Sequence, residues 1–104
     1  MATSEPEPMY APYARAAALV ASDGTRRAQK NVVDVKRWET GRYRLTVPDT
    51  IDVTHAVLHA TPHAGADWGT EVYVRPASGQ PHVVDVLTSK NGTPANEPFY
   101  FSVL

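Results

Sequence analysis

Three histidines, His55, His59 and His63, are spaced four apart, and on a helix that spacing would put three imidazoles on one face as zinc ligands. The neighbouring residues argue against the helix: Val53, Thr54 and Val57 favour strand, Pro62 interrupts, and no Glu follows His55 as His-Glu-x-x-His would require. In a strand His55 and His59 share a face but stand roughly 13 Å apart, too far to share a metal. Serine, histidine and aspartate all occur, yet there is no Gly-x-Ser-x-Gly elbow, no Gly-x-Gly-x-x-Gly and no phosphate loop. Asp49 and Asp52 flank Ile51 in a loop, where turn formation is the ordinary use of aspartate. With no cysteine, thiolate catalysis and thiolate metal sites are excluded. The residues therefore point to no enzyme, no metal and no cofactor.

The remaining chemistry is that of surfaces. Exposed aromatics on a β-sheet domain can stack on the apolar faces of sugars, which makes Trp38, Trp68 and Tyr73 the candidate ligand-binding residues and a cell-surface glycan the candidate ligand. Core or subunit packing is the ordinary alternative for each. Arg26, Arg27, Lys30, Lys36 and Arg37 form a basic concentration, commonly a solvated face. Asn91-Gly92-Thr93 has the form of a glycosylation sequon, but Asn91-Gly92 reads first as turn chemistry. Ten Lys+Arg against eleven Asp+Glu give a net charge of -1, so no global field draws the chain to nucleic acid. No apolar run approaches the ~20 residues of a membrane span, and no signal peptide is apparent.

The elements that must position these residues read as all-β. The 104 residues carry nine prolines and six glycines, and short apolar runs alternate with turn signals from residue 14 onward. Strands are expected over residues 14–21, 31–39, 42–47, 53–61, 70–75, 82–89 and 99–103, with 25–30 a polar loop and 90–98 a polar turn. Residues 42–47 alternate cleanly, Tyr43, Leu45 and Val47 facing one way and Arg42, Arg44 and Thr46 the other, after a tight Thr40-Gly41 turn. Phe99, Phe101 and Val103 share one face. About seven strands exceed what one flat sheet of this length holds, so a small antiparallel β-sandwich is expected over residues 14–104. Residues 1–13, with Pro6, Pro8 and Pro12 among glutamates, are expected to form an extended arm. Its Met9, Tyr10, Pro12 and Tyr13 are the candidate assembly residues.

Three ordered pieces resemble a β-sandwich module found near the ends of bacteriophage tail-fibre and related virion proteins and in short actinobacterial proteins of phage origin. The first is Ala18-Leu19-Val20, Asp23-Gly24 and Asn31-Val32-Val33-Asp34-Val35, where the family shows a strand, a turn and a Val-x-x-Val strand. The second runs from Thr40-Gly41 through Tyr43, Leu45 and Val47 to Asp52, similar to the hairpin Gly-x-Tyr-x-Val-x-Phe and its following Asp. The third is Asn91-Gly92-Thr93-Pro94-Ala95-Asn96 leading into Phe99, similar to Gly-Thr-Pro-x-Asp before a final strand. Val47 stands where the family often has Phe, and Asn96 where it has Asp. The resemblance implies a structural or adhesion protein of a virion or phage-like particle, in the head decoration or the fibre. It further implies work as a homo-oligomer, often a trimer, alongside other particle proteins, and the lack of an apparent signal peptide sets the expectation of synthesis in the cytoplasm.

Overall fold

The computed structural model describes residues 7–104. It is all-β, and its strands fall into two sheets. In chain order they are β1 (Glu7–Pro8), β2 (Ala16–Val20), β3 (Arg26–Lys30), β4 (Asp34–Glu39), β5 (Arg42–Thr46), β6 (Leu58–Pro62), β7 (Thr70–Pro76), β8 (Val83–Lys90), β9 (Thr93–Pro94) and β10 (Phe99–Val103). The first sheet has the order β1-β3-β2-β10-β6. The second has the order β4-β5-β8-β7, with β9 paired to β8.

The period-2 patterns place the core between the sheets. Ala16, Ala18 and Val20 of β2 and Phe99, Phe101 and Val103 of β10 meet Tyr43 and Leu45 of β5 and Val84 and Val86 of β8 in one buried cluster. Tyr43 is fully buried, its ring edge-on to Phe99 with centroids 5.0 Å apart, and its hydroxyl donates to the Ser22 carbonyl at 2.6 Å. Burial raises the Tyr43 pKa, which keeps the phenol a donor. The alternation expected for residues 42–47 and the shared face of Phe99, Phe101 and Val103 both hold.

Several expectations are corrected. The described residues form ten strands rather than seven, and the pairing is not wholly antiparallel, because β1 runs parallel to β3. Residues 25–30, expected as a polar loop, contain β3. Its side chains are polar because it lies towards the margin of its sheet, while its backbone pairs with β2 from Ala17 to Val20. The strand expected over residues 53–61 begins only at Leu58, since turn bonds win before it. The Asp52 carboxylate accepts the Thr54 amide at 2.8 Å, and the Ala56 amide donates to the Val53 carbonyl. Ile51 and Val53 from this segment are buried in the core. Residues 90–98 contain the short strand β9.

The described part of the expected arm lies against its own first sheet. The Met9 amide donates to the Gln29 carbonyl, and Lys30 Nζ donates to the Ala11 carbonyl at 2.9 Å. Residues 1–6 of that arm lie outside the described residues. Arg15 donates from Nε and Nη2 to the Leu104 carbonyl at 3.0 and 2.7 Å, and Val103 pairs with Ala16, so the start of β2 and the end of β10 are side by side.

Candidate binding face

The outer face of the second sheet is organised in rows by strand register. Tyr73 of β7 pairs with Leu87 of β8, and Leu87 with Arg42 of β5. Arg42 in turn lies over the Trp38 ring of β4, its guanidinium carbon 5.7 Å from the ring centroid. One row away, Arg75, Asp85, Arg44 and Lys36 pair in succession across the same four strands. In the direction of the β8–β9 hairpin, Glu71 pairs with Ser89. An apolar and aromatic row therefore runs between a charged row and a polar end.

Trp38 sits where the β4–β5 register shifts between Arg37 and Glu39, a bulge that leans its ring over the arginines. The Arg44 guanidinium carbon lies 5.6 Å from the same ring. Arg44 Nε donates to Asp85 Oδ1 at 2.9 Å, and this carboxylate raises the arginine pKa further. Arg42 Nε meets Glu39 Oε2 at 3.0 Å. Trp38 is half exposed, and two guanidiniums already occupy its surroundings.

At the polar end a trough of about 250 Å³ opens over β8. Leu87, Thr88 and Ser89 form its floor, Tyr73 and Glu71 one wall, and Gly41, Arg42 and Pro94 the other. Glu71 Oε1 accepts from Ser89 Oγ at 2.9 Å and from the Gly92 amide at 2.9 Å, while Tyr73 Oη stands 3.5 Å from Oε2. Those bonds, the Ser89 hydroxyl first and the Gly92 amide second, lower the Glu71 pKa and keep the carboxylate ionised. The Gly92 amide points back at Glu71 because Asn91 and Gly92 both take positive φ, 51° and 84°, in the two-residue hairpin turn between β8 and β9.

The three candidate aromatics are thus divided. Trp38 and Tyr73 share a face, with β5 and β8 between their strands. Trp68 is almost wholly exposed, in the loop between β6 and β7, and borders a separate hollow with Pro62, His63 and Asp67. Of the N-terminal candidates, Tyr10 and Tyr13 are each 92% exposed and Pro12 is exposed. Met9 lies in a shallow apolar groove on the outer face of the first sheet with Ala17, His59, Tyr100 and Ser102.

The histidines are scattered. His55 lies in the turns before β6, His59 in β6 across from Ser102, and His63 beyond β6, where its Nδ1 accepts the Gly65 amide at 3.0 Å. His82 Nδ1 bonds the Ile51 carbonyl at 2.8 Å. Among the described residues no three His, Cys, Asp or Glu side chains gather as a metal site would require.

Sequence reasoning missed Glu71, Leu87 and Ser89. The signal was faint: Glu71 and Tyr73 share a strand face, and Ser89 and Leu87 share another, but which strands pair is not written in either segment. Compared with known proteins, the chain matches no family model, no curated protein and no solved structure.

Proposed function

We propose that the chain is a non-enzymatic β-sandwich module that works by presenting its surfaces to partners, as a structural or receptor-contacting protein of a phage or phage-like particle. The observation that carries this reading is the placement of its large aromatics. Tyr10, Tyr13 and Trp68 stand at the surface, as do Tyr73 and Trp38 on one sheet face, while the core is closed by Tyr43, Phe99 and Phe101. Monomeric domains expose single apolar residues commonly, but Tyr and Trp at the surface are the usual anchors of interfaces. Self-association through the N-terminal segment, as a homo-oligomer, is part of the reading.

The native mass of the full chain by light scattering tests it, alongside a Tyr10→Ser, Tyr13→Ser double variant. A defined oligomer that dissociates in the variant supports assembly through that segment. A monomer in both forms removes self-assembly and leaves recognition of another partner.

The second reading is a glycan-binding module, favoured by the trough beside Tyr73, which combines an exposed aromatic residue with an ionised carboxylate. A glycan array with the full chain tests it, and a silent array removes it.

A further inference from the structure

We propose that the trough between β7 and the β8–β9 hairpin is a site for one neutral pyranose ring, the terminal sugar of a glycan, stacked on Tyr73 and hydrogen-bonded by Glu71. This inference rests on the glycan-binding reading and names the place and the ligand class.

A sugar ring presents an apolar C–H face and an equatorial belt of hydroxyls, so its site needs an aromatic or aliphatic platform with donors and acceptors at the rim. The Tyr73 ring is more than half exposed, and Leu87 continues the apolar floor on the next strand. Glu71 is held in place before any ligand arrives, because Ser89 and Gly92 both bind Oε1. That leaves Oε2, with only the 3.5 Å approach of the Tyr73 hydroxyl, directed to accept from a ligand hydroxyl. Such preorganisation lowers the entropy lost on binding.

On the opposite wall Arg42 lines the trough, with its guanidinium turned to Glu39 and the Trp38 ring of β4. Glu71 Oε2 and the Tyr73 hydroxyl at the same rim suit vicinal hydroxyls of a ligand, one donating and one accepting. The ionised Glu71 disfavours an anionic sugar in the trough. Size limits the ligand too, since about 250 Å³ is below the ~300 Å³ at which clefts for larger ligands begin. One ring fits, with the rest of the glycan leaving over the open side.

The test is a titration of the ¹⁵N-labelled full chain with methyl β-D-glucopyranoside and, separately, methyl β-D-galactopyranoside, followed by amide spectra. Saturable shifts at Gly92, Ser89 and Gly41 are expected for at least one sugar, weakened about tenfold by Tyr73→Ala. Glu71→Gln, which retains an amide oxygen for Ser89 and Gly92, weakens binding because the ligand-facing carboxylate oxygen, an acceptor, becomes an NH2 donor. Both variants must keep the unperturbed amide pattern of the core, with Val84 and Phe101 as reporters.

Shifts confined to Gly65 and Gly69 and abolished by Trp68→Ala overturn this site while leaving the glycan-binding reading in place. No saturable shift with either glycoside also overturns it. The glycan array then decides the broader reading: hits on other sugars keep it, and silence removes it.

Discussion

A Cβ built on Gly41 would stand 2.3 Å from the Thr88 carbonyl oxygen and 3.0 Å from the Ala95 amide nitrogen. Gly41 has φ of 70°, donates its amide to Asn96 Oδ1 at 2.8 Å and receives the Thr88 amide on its carbonyl. One residue without a side chain thus fastens the β4–β5 turn to β8 and to the segment leading into β10. Gly41→Ala should destabilise the fold by roughly 1–3 kcal/mol, from the left-handed conformation together with the backbone clash. Urea unfolding checks this, and a loss under 0.5 kcal/mol would show that the turn relaxes freely.

Tyr43→Phe removes the hydroxyl that bonds the Ser22 carbonyl and keeps the ring on Phe99. A loss of about 0.5–1.5 kcal/mol is expected. Phe99→Ala empties the other half of the contact and should cost about 3–5 kcal/mol. A double-mutant cycle on the two rings should return a coupling near 1 kcal/mol.

Asp23, Asp52 and Glu71 all have lowered pKa values from accepted hydrogen bonds: Asp23 from the Thr25 amide first, Asp52 from Thr54 and Glu71 from Ser89. A depressed carboxylate contributes stability that is fully present above its unfolded pKa, about 4, and is lost as pH falls through the folded value. The melting temperature should therefore be flat with respect to these groups above pH 5 and fall below pH 4. Glu71→Gln should reduce the steepness of that acid limb. An unchanged slope would mean Glu71 is not held as described.

Arg44 and Asp85 form a short pair on the face of the second sheet, with the Arg44 side chain 42% exposed. Solvent screening keeps such a pair weak, so Asp85→Asn should lower the melting temperature only slightly, and less in high salt. Trp38 fluorescence should respond to the same substitution, because Arg44 lies against its ring and loses its carboxylate anchor.

Much of the architecture was legible because alternation in β5, β8 and β10 is strong and those strands supply the core. Arg26–Lys30 was illegible because an outlying strand is defined by backbone pairing, and its side chains carried no apolar period to read. Residues 53–57 misled in the opposite sense: β-branched residues suggested a strand, yet Asp52 and the turn bonds around Val53 decided the backbone. At the candidate face, Trp38 and Tyr73 could be named from residue type alone. That Tyr73 would stand by Glu71 and Ser89, with Arg42 across β8, depended on the β7–β8 and β5–β8 registers, which are long-range properties of the fold. Trp68 looked equivalent to them only because its loop gave no information on where it points.

The clamp between Arg15 and the Leu104 carbonyl brings the start of β2 and the end of β10 to one place. Because residues 15 and 104 touch, a polypeptide entering at one and leaving at the other would pass the domain without spanning it. Spliced into a loop of a larger protein, the sheets would hang outward like a pendant and leave the host backbone almost uninterrupted. Strung in series, copies would project from a thread at regular intervals, each holding its Tyr73 trough at the same fixed place relative to its own point of attachment.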